Sequence, residues 1–318
     1  DWSSDVCSSD LRNAEDVFFC HSLHRYRVVE HTAPITTRPL KRGEGACMTD
    51  TPQTRAEESD EILVEVQGPV ATIILNRPAR LNALLPATGP RYAEILRELD
   101  QRPDIRAIVV TGAGRGFCSG ADLDMLQGPR EELIDHVLRH TWESLPLVAL
   151  TLSTPVATAI NGPCAGLGFV LAVSADIRFV HPEATLSTTF ARLGLVAEYG
   201  IAWLLPRLIG LPAATDLLLS GRTITGREAH DLGLALSHED PRTAAEAWAQ
   251  ELAFTTSPAS VAAIKRQLLD QHASTMIQAI NESLVAMSEA FSWPDLTEAL
   301  TARRERRPSS FPDWPSPT

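Results

Sequence analysis

The sequence predicts an α/β fold: a core of repeated β-β-α units followed by a helical C-terminal third. Three observations predict it. Short Val- and Ile-rich runs alternate with segments of helical apolar spacing between residues 61 and 209. Two of those runs lead into glycine-centred segments, Gly112-Ala-Gly-Arg-Gly-Phe-Cys-Ser-Gly-Ala-Asp122 and Asn161-Gly-Pro-Cys-Ala-Gly-Leu-Gly168, each reading as strand, tight turn and helix start. From Leu211 onward nearly every stretch reads helical.

The elements follow in order. Residues 62–67 and 70–75 are two strands of a hairpin around Gly68-Pro69. Residues 87–100 carry Tyr92, Ile95, Leu96 and Leu99 at helical spacing. A strand over 104–111 precedes the first glycine segment, and 131–150 is a helix. Then come a strand at 156–160, a helix at 166–174, a strand at 177–180, a short strand near Thr185 and a helix at 200–209. Helices over 213–220, 226–233, 242–255, 258–290 and 294–305 complete the pattern, and no internal repeat of fixed period stands out.

Residues 1–47 do not read like the rest. They hold three of the five cysteines and show neither clear periodicity nor a signal peptide. The opening Asp1 to Leu11 resembles translated adaptor sequence, and Met48 is a natural initiator. We therefore set 1–47 apart as a non-native extension. The polar stretch 48–60 is a disordered lead-in, 61–256 the core, 257–306 a helical region, and 307–318, with four prolines, a loose tail.

The formal net charge of −12 argues against nucleic-acid or membrane-surface partners, which want a basic face. A polyanionic small ligand needs only local Arg or Lys groups. No segment offers the ~20 apolar residues of a membrane span. The cysteines Cys7, Cys20, Cys47, Cys118 and Cys164 form no C-x-x-C pair. So sparse and odd a set fits a reducing, cytoplasmic compartment.

A helix start leaves backbone N–H groups without intrahelical partners. Two such starts brought together aim two donors at one point, which is how an oxyanion hole is built. Such a site stabilises a negative oxygen, for example that of a thioester enolate. Cys118 and Cys164 lie in these segments, as nucleophiles or as small residues at crowded turns; neither has a neighbouring base in sequence, which favours the second. His136 and His140, four apart, could form a metal pair, but no third ligand suggests itself and a surface helix is the simpler reading. The Gly112–Gly116 loop lacks the endings of a P-loop or dinucleotide loop, and Gly116–Gly120 is no nucleophile elbow.

Taken together, the segments resemble the enoyl-CoA hydratase/isomerase (crotonase) superfamily. The matching pieces are Leu75–Ala83, Val109–Leu123, Ile160–Gly168, Ala175–Ile177, Phe190–Leu195 and Leu204–Arg207, in the family's order and spacing. The resemblance covers roughly residues 61–310. It implies a ββα spiral, a helical C-terminal region that packs as a homotrimer or hexamer, and an acyl-CoA thioester substrate. Coenzyme A would enter with the substrate, with no further cofactor and no metal. The resemblance makes the N–H groups of Ala121 and Leu167 the oxyanion donors. It places Arg80, Asn82 and Ala83 at the bent coenzyme A, and Lys265 near the nucleotide phosphates. Apart from the resemblance, Lys265 reads as part of a solvated helix face.

The family's hydratases use two glutamates, and those positions fall here on Val170 and Phe190, which carry no proton. Glu198, in Leu193-Gly-Leu-Val-Ala-Glu-Tyr-Gly200, resembles the single acid of the family's 3,2-enoyl-CoA isomerases and phenylacetate-pathway isomerases. One carboxylate suffices for an allylic proton shift from C2 to C4. Apolar neighbours such as Phe190, Leu195 and Trp203 would raise its pKa and strengthen it as a base. Outside the resemblance, Glu198 reads as a first-turn acid favoured by the helix dipole. Asp122 is expected as a cap or ion-pair partner, Asp124 could face the acyl pocket, and Tyr199 either packs or meets the thioester. The alternatives to an isomerase are a hydratase using Glu198 and water, and a non-catalytic acyl-CoA-binding scaffold.

Overall fold

Val- and Ile-rich runs with few polar residues suit a parallel sheet, because such a sheet is covered on both faces. The computed structural model describes residues 61–122, 129, 146–270 and 274–314, all within the compact unit Arg55–Thr318. The extension, the lead-in and most of the helix expected over 131–150 lie outside the described residues.

Strands β1 (Ile62–Gln67), β2 (Val70–Leu75), β3 (Ala107–Gly112) and β4 (Val156–Ile160) follow in chain order. Next are β5 (Cys164–Ala165), β6 (Ile177–Val180), β7 (Thr185–Ser187), β8 (Thr223–Thr225) and β9 (Leu236–Ser237). The main sheet runs β1-β2-β3-β4-β6-β9 and a smaller one β5-β7-β8. The β1–β2 hairpin is antiparallel, with Ile62 opposite Leu75, and every other neighbour in the main sheet is parallel.

Alternation along the strands divides the core. Ile108 and Val110 of β3 join the large apolar cluster together with Tyr92, Leu96 and Leu99 of helix α1 (Thr88–Asp100). Ala107 and Val109 point the other way and meet Ala245, Ala249 and Ala253. These alanines recur every four residues along one helix face, so the helix approaches the sheet closely.

The remaining helices are α2 (Leu167–Val173), α3 (Ile201–Ile209), α4 (Leu211–Ser220), α5 (Gly226–Asp231), α6 (Pro241–Thr255), α7 (Pro258–Asp270), α8 (Met276–Ala290) and α9 (Pro294–Glu305). The helical last third is present, with corrections. The strand expected from residue 104 begins at Ala107, because Arg102 and Asp104 form an ion pair in the preceding turn and Ile105 N–H donates to Arg102 O. The single helix expected over 258–290 is two helices. Thr275 begins the second with a capping box: its hydroxyl accepts the Gln278 N–H, and the Gln278 side chain accepts the Thr275 N–H at 2.8 Å. Strands β8 and β9 are too short for a periodic signal. The tail is tied down as far as Trp314. Arg106 donates to Phe311 O and Asp313, both at 2.8 Å, and the Trp314 ring lies 5.6 Å from that of Trp293.

Candidate active site

The site begins in the loop that leaves β3. Two side-chain amides, of buried Asn82 and partly exposed Asn161, hold its carbonyls. Asn82 Nδ2 donates to Ala113 O at 3.0 Å and Gly116 O at 2.8 Å, while its Oδ1 accepts the Arg77 N–H at 2.8 Å. Asn161 Nδ2 donates to Gly112 O at 3.0 Å and Gly114 O at 2.9 Å. Further along, Leu84 N–H donates to Gly120 O at 2.8 Å, and Asp122 N–H donates to Leu84 O at 3.0 Å. This pairing uses the groups on either side of Ala121, so the Ala121 N–H faces the opposite way. Among the described residues it has no backbone acceptor.

The second glycine segment carries the other expected donor. Leu167 is the first residue of α2, and among the described residues its N–H also lacks a backbone acceptor. The two turns are in contact. Gly120 has φ +101°, and a Cβ on it would stand 2.9 Å from Ala165 O and 3.4 Å from Leu167 N. A Cβ on Gly168 would collide with the Cys118 carbonyl. Cys118 and Cys164 pair across the turns as a parallel bridge, and Ala165 N–H donates to Cys118 O at 3.0 Å. Burial pushes the Cys118 thiol up to about 12 and the Cys164 thiol well above its ordinary value. Both stay protonated, which fits packing at a crowded turn and not a nucleophile.

Asp122 is an ion-pair partner. Its carboxylate, 5 % exposed, accepts from Arg77 Nη2 at 3.1 Å and Arg80 Nη2 at 3.2 Å. Arg77 also donates through Nη1 to Ala83 O. The segment expected at coenzyme A is therefore tied to the donor loop. Arg80 engages Asp122 with one nitrogen and is half-exposed; Ala83 is buried. Asn82 is buried with its amide engaged by backbone, so it shapes the segment from below and does not reach outward.

Lys265 is put to another use than the one expected. It is 7 % exposed, and its ammonium donates to Ala149 O at 2.8 Å, Thr154 O at 2.9 Å and Asp176 Oδ2 at 2.7 Å. A lysine has three donors, and all are engaged. It is neither on a solvated face nor open to a phosphate; it anchors α7 to the core. Burial lowers its pKa, with the Asp176 charge opposing.

Glu198 lies just before α3, whose N-cap is Gly200, so it is not in the first turn. Its carboxylate makes no hydrogen bond or ion pair among the described residues, and partial burial raises its pKa. The apolar surroundings expected there are reached only in part. Phe190 is buried, but Leu195 and Trp203 are exposed, and the Arg207 guanidinium covers the Trp203 ring at 3.9 Å. Val170 and Phe190 belong to the large apolar cluster, against which Leu167, Ala197 and Tyr199 also pack. Tyr199 has φ +48°, and its hydroxyl is raised to about 12 by burial and then by the Glu198 charge.

Asp124, His136 and His140 lie outside the described residues, among which no cluster of metal ligands occurs. None of the described helices is long and apolar enough to cross a membrane. Three residues inside the matching segments had been given no role of their own: Arg77 and Asn161, which hold the site loops, and Asp176, which holds Lys265. The signal for the first two is their place beside each glycine segment's partner, in Asn76-Arg77-Pro78 and Asn161-Gly162.

Comparison with known proteins bears on this arrangement. The chain is 37% identical over 196 residues to the 1,2-epoxyphenylacetyl-CoA isomerase of Escherichia coli, covering 60% of this chain and 74% of that protein. It is 30% identical over 253 residues to the peroxisomal Delta(3,5)-Delta(2,4)-dienoyl-CoA isomerase of Arabidopsis thaliana, covering 75% and 91%. The crystal structure of an enoyl-CoA hydratase from Bacillus anthracis superposes with a TM-score of 0.76 at 27% identity, covering 80% of this chain and all of that one. Residues 65–314 match the enoyl-CoA hydratase/isomerase family, and with the paired glycine turns and the crotonase fold this establishes that the chain belongs to it.

Proposed function

We propose that the protein converts a 3-enoyl-CoA thioester to its conjugated trans-2-enoyl isomer with a single-carboxylate proton shuttle. One observation carries this reading: Val170 and Phe190, the positions that the resemblance assigns to the hydratase acids, are core residues, while Glu198 is a half-buried acid with a raised pKa. The segment leading to Glu198 starts against the second donor turn, since Thr189 Oγ1 is 3.3 Å from where a Cβ on Gly166 would stand.

In this mechanism the thioester oxygen sits between the Ala121 and Leu167 N–H groups. Glu198 removes a C2 proton, negative charge moves onto that oxygen, and the same carboxyl returns the proton at C4. Atoms and charge balance without water or a further cofactor. The oxyanion donors supply a few kcal/mol, the usual worth of such groups. The exposed apolar residues of α8, among them Ile277, Leu284, Val285 and Met287, support the expected homotrimer or hexamer.

The test supplies the full chain with a 3-enoyl-CoA and, separately, a trans-2-enoyl-CoA, and weighs the products. An isomer of unchanged mass from the first, abolished by Glu198→Gln, is expected. The hydratase reading, suggested by the Bacillus anthracis structure, requires the second substrate to gain one water.

A further inference from the structure

We propose that Asp122 and Arg77 form a positioning pair that aims the Ala121 N–H at the thioester oxygen; this rests on the oxyanion reading above. Asp122 follows the donor directly. Its own N–H is bonded to Leu84 O, and Leu84 N–H to Gly120 O, so the donor is bracketed by a two-bond pairing with residue 84. That pairing is a single isolated bridge, not a strand ladder, and by itself fixes direction poorly.

The guanidinium of Arg77 closes it from the side. One nitrogen holds Ala83 O, next to the bridge residue on one segment. Another holds Asp122 Oδ2 at 3.1 Å, next to the bridge residue on the other. A planar fork binding both segments resists their rotation about the bridge, which a flexible point charge does not. Arg80 adds a second contact at 3.2 Å to the other carboxylate oxygen. Each Asp122 oxygen thus has a guanidinium partner, and the carboxylate cannot swing.

Buried ion pairs contribute little net stability compared with apolar packing, so direction is the physical return for burying this one. Misplacement of a reacting or stabilising group by about 1 Å can cost on the order of 100-fold in rate. Losing alignment of one oxyanion donor therefore lowers kcat, and binding of a saturated acyl-CoA reports separately whether the coenzyme A segment tied to the same pair has moved.

The experiment compares wild type, Asp122→Asn, Arg77→Lys and Glu198→Gln as full chains, with folding checked by circular dichroism. Expected is a fall in kcat of roughly 10- to 100-fold for the first two variants, with KM within about threefold. Acetoacetyl-CoA, whose enolate mimics the charged oxygen, loses a similar factor in affinity, while a saturated acyl-CoA binds as before. A folded Asp122→Asn with wild-type kcat overturns the pair, and so does equal weakening of both ligands. If Asp122→Asn does not fold, Arg77→Lys is read by the same criteria; failure of both to fold overturns the proposal, because the pair is then structural. A wild-type rate in Glu198→Gln overturns instead the single-acid reading and leaves the pair to be judged on the two ligands.

Discussion

Replacing Lys265 by Met separates two uses of one lysine. The change keeps an unbranched apolar stem and removes the ammonium. In the structure that ammonium serves two carbonyls and a carboxylate, Ala149 O, Thr154 O and Asp176 Oδ2. Breaking a buried pair by removing one partner costs about 3–5 kcal/mol. Asp176 is 27 % exposed and also accepts the Val156 N–H at 2.7 Å, so its charge keeps one partner and some water. The lower end, about 3 kcal/mol, is therefore expected, which is a fall in Tm of roughly 6–12 °C for a domain of this size. The assay is a circular dichroism melt at matched protein concentration. It is paired with KM for one acyl group carried on coenzyme A and on pantetheine. The anchoring role predicts the lower Tm and an unchanged ratio of the two KM values. An unchanged melt, with KM raised tenfold for the coenzyme A thioester alone, would refute it and restore Lys265 to the phosphates.

Three other outcomes follow from the same geometry. The raised pKa of Glu198 means that its base form appears only at a higher pH than for an ordinary carboxylate, so kcat should rise through that shifted pKa as pH increases. For stability the sign is opposite: protonation favours the folded state, so Glu198 becomes less costly as pH falls through the folded pKa. A pH–kcat profile without this limb would show that Glu198 is not the base. Cys118 and Cys164, held as thiols by burial, should stay unlabelled by iodoacetamide in the native protein and label in denaturant, as peptide mapping would show. Gly168→Ala should fail to accumulate as folded protein or melt well below wild type, since its Cβ would strike the Cys118 carbonyl; a wild-type melt would mean that the turns are looser than they stand here.

The spiral core and the contact between the two glycine turns were legible because glycine is chosen for steric reasons that sequence records. Gly120 and Gly168 are glycines because backbone of the other turn occupies the Cβ position. The core strands announce themselves by mainly apolar, β-branched character, since both faces are covered. What was not legible depends on where a long side chain ends. Nothing in the spacing around Lys265 shows whether its ammonium reaches solvent or Asp176, a contact between residues far apart in sequence. Nor does spacing show that Asn82 turns inward to hold Ala113 O and Gly116 O. The break near Ser274 was legible in principle, since Thr275 and Gln278 spell a capping box, but continuous apolar spacing across it masked the signal.

On the proposed reading the oxyanion donors are backbone groups, which leaves the side chains to decide the reaction. Moving a proton between carbons needs one group that gives back what it takes; adding water needs a second group to hold and activate that water. Val170 and Phe190 offer no such group, and their place in the apolar cluster also removes the polar lining that an ordered water requires. On the isomerase reading, introducing hydration would take more than Val170→Glu. The new carboxylate would stand among apolar residues with its charge uncompensated, and it would be held neutral, unable to act as a base. On that reading, the choice between the two chemistries is set by the packing around the donors and not by the donors themselves.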